Sequence, residues 1–153
     1  MPSTATLISQ LKSEYPQYSF TKSSDFLWSP DKKIIFYCEK DNNDYIYILH
    51  ELSHALLSHL CYGYDITLIT MEREAWDKAV ELAKDRGLTI NNDLIQSSLD
   101  TYRDWLHARS TCPKCQATGL QSKKDTYNCL ACGYKWRVNE ARSCSLRRYK
   151  IQK

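Results

Sequence analysis

Long apolar runs are missing from this sequence. Its apolar stretches are broken by charged or polar residues well short of the roughly 18 needed to cross a bilayer, which excludes a helical membrane span. A leader is missing too: Met1-Pro2-Ser3-Thr4-Ala5-Thr6 has no basic segment ahead of an apolar one, so a cytoplasmic protein is expected. Internal repeats and low-complexity tracts are absent as well. What remains is an ordinary globular composition, 42% hydrophobic and 25% charged. A length of 153 residues allows one compact domain of about 100 residues and a small appendage.

Charge and cysteine are distributed unevenly. Residues 1–106 hold 10 Lys and Arg against 16 Asp and Glu, a net −6, whereas residues 107–153 hold 11 against 2, a net +9. Opposite signs imply two units with different partners. Four of the seven cysteines form Cys-x-x-Cys pairs, leaving Cys38, Cys61 and Cys144 outside them. In a chain without a leader this points to a metal site in a reducing compartment rather than to a disulfide framework.

The pattern predicts a mixed α+β chain. A short helix over 4–15 has Leu7, Ile8 and Leu11 on one side and is closed by Pro16. Residues 24–28 and 33–37 read as two strands joined by Ser29-Pro30-Asp31-Lys32. A buried helix follows from Tyr45 to Leu60, where Ile46, Leu49, Leu52, Leu56 and Leu60 recur at helical spacing, with Gly63 ending it. Further helices are expected over 70–86, stopped by Gly87, and over 92–108. The expected divisions are a domain over 1–109, a cysteine-rich module over 110–138 and a loosely ordered basic tail over 139–153.

The helix from Tyr45 carries His50-Glu51-Leu52-Ser53-His54. Histidines four apart stand one turn above each other on one face, where both imidazoles can reach one tetrahedral zinc. Glu51 lies beside that position, placed to take a proton from a zinc-activated water and return it to a leaving amine. His59 would sit about 140° around a continuing helix and is expected at the helix end, against carbonyls. Catalytic zinc ordinarily has three protein ligands. No histidine lies between His59 and His107, so the third is expected to be a carboxylate, Glu72 or Glu74.

His50-Glu51-Leu52-Ser53-His54, followed by Glu72-Arg73-Glu74-Ala75-Trp76-Asp77-Lys78-Ala79, resembles the ImmA/IrrE-type metallopeptidases over roughly residues 20–85. The resemblance implies a minimal gluzincin: a zincin-like fold in which a short sheet packs on the active-site helix and an edge strand receives an extended peptide. It favours Glu72 as the ligand, because in that family the glutamate three before the first alanine binds the metal. Relatives often have Asp or Asn four residues after that ligand, orienting a histidine. Trp76 stands there in this chain, leaving Asp77 or Asp44 as substitutes. The implied substrate is a protein, among them regulators bound to DNA.

Cys112-Pro113-Lys114-Cys115 and Cys129-Leu130-Ala131-Cys132-Gly133 are separated by 13 residues, the spacing of a four-cysteine zinc ribbon. A redox dithiol or an iron–sulfur centre has no support in the flanking sequence. The expected cofactor is therefore Zn(II), two per chain, one catalytic and one structural. Lys123, Lys124, Lys135, Trp136 and Arg137 in the ribbon, with Arg147, Arg148 and Lys153 beyond it, suit nucleic acid or a protein partner; a purely structural ribbon is the third option. Two rival functions stand beside the peptidase. One is a SprT-like DNA-associated protease, whose downstream histidine ligand this chain lacks; the other is a non-catalytic adaptor.

Overall fold

A computed structural model describes residues 2–142 and 144–151, so Lys153 lies outside the described residues. Among the described residues, four helices and two small sheets give the chain an α+β arrangement. It divides into two compact units, Met1–Leu60 with Met71–Ile95, and Cys61–Thr70 with Gln96–Lys153. Residues 61–70 and 96–109 group with the cysteine-rich module. Among the described residues no helix is long and apolar enough to cross a membrane.

The first unit opens with α1 (Thr4–Glu14), whose first turn is capped by Ser3 Oγ accepting from Thr6 N at 3.2 Å. Leu7, Ile8 and Leu11 form its buried stripe. Strands β1 (Ser19–Lys22), β2 (Leu27–Ser29) and β3 (Ile34–Tyr37) follow, ordered β1-β3-β2, with β1 parallel and β2 antiparallel to β3. β1 is an addition to the expected strands. Only Phe20 of its four residues is buried, opposite Ile35, so its place is set by a distant partner rather than by a local pattern.

Helix α2 (Asp44–Leu56) packs on β2 and β3. Ile48, Leu49 and Leu52 are fully buried, and each removes enough apolar surface to contribute about 1.5–3 kcal/mol. The helix ends earlier than Leu60, and Gly63 is not its stop. Ser58 adopts φ +56, and the carbonyls of Ala55 and His54 accept from Ser58 N at 3.1 Å and His59 N at 3.0 Å. This is a Schellman closure with serine where glycine is favoured, and it turns the chain back one residue before His59. Helix α3 (Asp65–Lys84) begins five residues before the expected Thr70 and closes the same way at Gly87, φ +66, with Leu88 N on Ala83 O.

In the second unit, helix α4 (Asn92–Ser110) contributes from Gln96 onward. Strands β4 (Leu120–Lys123), β5 (Thr126–Asn128), β6 (Lys135–Val138) and β7 (Arg148–Lys150) form one antiparallel sheet in sequence order. The stretch expected as a loose tail thus supplies β7. Its partner β6 offers an open edge, which alternating residues of 148–150 can occupy without a hydrophobic signal of their own. Tyr127, Trp136 and Val138 form the core with Cys112 and Cys129. Gly119 makes room for Trp136: a Cβ there would lie 2.5 Å from its ring.

Beneath the sheet, Arg109 and Asp65 form a buried ion pair at 2.7 Å. Asp65 also accepts from the Tyr127 hydroxyl at 2.6 Å, and Arg109 reaches Asp125 at 2.8 Å. Burial raises the Tyr127 pKa, and its bond to Asp65 raises it further. Both charges are satisfied, which is the condition for burying them.

Candidate metal centres

α2 presents His50 and His54 on one face, and α3 brings Glu72 against them. His50 Nε2 and His54 Nε2 are 3.1 Å apart; Glu72 Oε2 lies 3.1 Å from the first, and Glu72 Oε1 lies 3.2 Å from the second. Zinc with bonds of about 2.0–2.1 Å gives tetrahedral edges of about 3.3–3.4 Å, close to the imidazole separation and to the distance from each imidazole to one of the two Glu72 oxygens. Burial acts to raise the Glu72 pKa, but hydrogen bonds and charge from His50 and His54 overcome it and hold the carboxyl well below the ordinary range. An ionised carboxylate between two imidazoles could hold a cation.

Glu74 occupies a different place. His54 Nδ1 lies 2.9 Å from His59 Nδ1, and His59 Nε2 lies 3.1 Å from Glu74 Oε2. With a metal on His54 Nε2, the His54 proton would sit on Nδ1 facing His59, and the His59 proton on Nε2 facing Glu74. His59 is buried inside the site rather than turned away, because the reversal at Ser58 replaces the continuing helix on which the 140° estimate rested. Glu74 is thus joined to the donor cluster through two imidazoles. Such an outer carboxylate fixes the tautomer and raises the basicity of a metal-binding histidine.

His50 lacks an equivalent partner. Its Nδ1 is buried without a hydrogen bond, and Trp76 lies on its ring with centroids 4.0 Å apart. Neither expected substitute orients it. Asp44 accepts from Lys40 N and from Asp41 N, the latter at 3.0 Å, while Asp77 is exposed. Packing against Trp76 restricts the orientation of the His50 ring. We expect His59→Ala to weaken zinc binding at this site by about 10- to 100-fold in competition with a chromophoric chelator. Affinity equal to wild type would remove His59 from the site's support.

Glu51 stands beside the triangle. Its Oε2 accepts from Trp28 N of the edge strand β2 at 2.8 Å. Burial is the main cause raising its pKa, and the charges of His50 and His54 oppose the rise. A carboxylate held next to a candidate cation site is placed to carry a proton.

In the second unit, the thiols of Cys112, Cys115, Cys129 and Cys132 all lie within 4.8 Å of one another. The Cys112–Cys132 and Cys115–Cys129 sulfur pairs are 3.7 and 3.5 Å apart, against about 3.8 Å for the edge of a zinc–thiolate tetrahedron. Each knuckle closes on a residue of positive φ, Gln116 (+65) and Gly133 (+75), whose N–H groups meet the carbonyls of Cys112 and Cys129. The backbone N–H of Cys132 leads in lowering Cys129 to about 7. At Cys115 the N–H of Ala117 favours the thiolate, yet hydrogen bonds to the Cys129 and Cys132 sulfurs prevail and push it up to about 12. Four crowded thiols cannot all ionise unaided, so a divalent cation fits the cluster. Cys129→Ser should release one zinc and expose the amides of β5 and β6 to hydrogen exchange, with the amides of α1 and α2 still protected. Loss of protection throughout the chain would show that the units do not fold separately.

Among the residues expected to meet a partner, Trp136 is fully buried, its Nε1 donating to Arg109 O at 3.1 Å. It is a core residue, because β6 alternates and its odd-numbered side chains face outward. Lys123, Lys124, Lys135, Arg137, Arg147 and Arg148 are not among the buried residues. Tyr149, which carries no motif, is exposed beside Arg137, its ring centroid 5.3 Å from the guanidinium. No family model, curated protein or solved structure matches this chain.

Proposed function

We propose that the first unit is a zincin-like, zinc-dependent endopeptidase acting on a protein substrate, with His50, His54 and Glu72 as ligands and Glu51 as general base. One observation carries this reading: Glu51 is held by an edge-strand N–H beside three converging metal donors. Glu74 bonds an imidazole, whereas Glu51 bonds a backbone N–H of β2, which suits Glu51 to exchanging a proton rather than to orienting a histidine. The similarity to ImmA/IrrE-type metallopeptidases supports the same assignment.

Zinc held by three such ligands supplies Lewis acidity, lowering the pKa of a water toward about 7 and polarising a carbonyl. Glu51 takes the proton from the attacking water, holds it in its buried carboxyl and passes it to the departing amine nitrogen. The bond from Trp28 N limits where that carboxylate can swing. β2 lies at the end of its sheet, so its outward backbone groups can pair with an extended peptide. The four-cysteine module holds its own zinc as a structural element of the second unit.

The direct test is cleavage of a denatured protein mixture by zinc-loaded full-length chain, read as new N-termini by mass spectrometry. New termini that vanish after chelation and return with zinc are the expected result. If zinc-loaded protein yields no new termini, the site is not a peptidase.

A further inference from the structure

We propose that the open face of the β4–β7 sheet binds single-stranded nucleic acid, with Tyr149 stacking on a base and Lys123, Lys135 and Arg137 contacting phosphates. This stands independently of the peptidase reading, which concerns the other unit.

Register builds the face. Lys123 lies opposite Thr126, Thr126 opposite Arg137, and Arg137 opposite Tyr149, so the four side chains form one row across four strands. With strands about 4.8 Å apart, the row extends over about 14 Å. Lys135 precedes Arg137 by two residues and shares its side of the strand, while Trp136 points into the core. Two clefts open here. One of about 450 Å³ is lined by Lys123, Lys124, Thr126, Arg137 and Tyr149, and one of about 460 Å³ by Lys114, Tyr134 and Lys135 among others. Lys150 and Ile151 line both, and among the described residues no carboxylate lines either cleft.

Charge alone would suit any polyanion; the rings decide between them. Arg137 lies 5.3 Å from the Tyr149 ring centroid, both on the outward side of the sheet. A cation beside an exposed flat ring matches a strand whose every repeat carries one phosphate and one base. An acidic peptide offers the charges without the rings. Asp125, the acidic residue of the β4–β5 turn, is drawn under the sheet to Arg109 and leaves the face positive.

The test is fluorescence anisotropy of a labelled oligothymidylate with the full-length, zinc-replete chain across a salt series. We expect saturable binding, with log K falling by about 0.7 per phosphate neutralised for each unit of log salt. Tyr149→Ala should weaken binding by about 5- to 100-fold, while Tyr149→Phe, which keeps the ring, stays within about twofold of wild type. Arg137→Ala should lower the salt slope by about 0.7. Zinc content of each variant shows that its cysteine module is intact. The proposal is overturned by absence of binding, by Tyr149→Ala binding as tightly as wild type, or by polyglutamate competing as well as the oligonucleotide.

Discussion

Glu51→Gln is expected to retain zinc at the histidine site and to lower proteolysis by about 10²- to 10⁴-fold, the usual contribution of a positioned general base. The amide is close to isosteric, and its carbonyl oxygen can still accept from Trp28 N, which Glu51 now meets at 2.8 Å. None of His50, His54 or Glu72 is altered, so the triangle of donors remains. What the substitution removes is the ability to accept a proton. Zinc retention by elemental analysis and turnover on the same preparation separate the two roles. Wild-type turnover in the variant would mean that proton transfer does not pass through Glu51.

The parts of both sites that repeat at short range were legible in the sequence. Histidines four apart on an apolar-periodic segment and two Cys-x-x-Cys pairs carry their geometry within one helix or one knuckle. Residues whose position depends on how the chain turns were not legible. Ser58 takes a left-handed conformation that a serine does not advertise, and this brings His59 onto His54. That placement in turn gives Glu74 a role through His59, a role that helical spacing on α3 could not assign. Burial at Trp136 depends on which side of β6 faces α4's last carbonyls, again a long-range matter. The same holds for β1 and β7. Each is three or four residues long with little apolar content, and each exists because a distant strand has an edge to pair with. Asp65 was similarly silent: a helix-initiating aspartate becomes the buried partner of Arg109 and Tyr127 only once the second unit closes around it.

The largest change in metal content is expected from His50→Ala/His54→Ala, which should reduce zinc from two per chain to one. His50 Nε2, His54 Nε2 and the two Glu72 oxygens approach one another at 3.1–3.2 Å. Removing both imidazoles leaves a single carboxylate, which cannot compete with water for the ion. The four cysteine thiols belong to the other unit and keep theirs. Stability gives a readout that needs no substrate. If zinc at 100 times its dissociation constant stabilises a folded site by about 2.7 kcal/mol, the wild-type first unit should melt higher in zinc and the double variant should not. Two zincs in the variant would place the second ion somewhere other than this triangle. A single zinc already in the wild type, unchanged by the substitutions, would leave the cysteine module as the metal site. The buried His50–His54–Glu72 cluster would then be a hydrogen-bonded core, and the peptidase reading would fall with it.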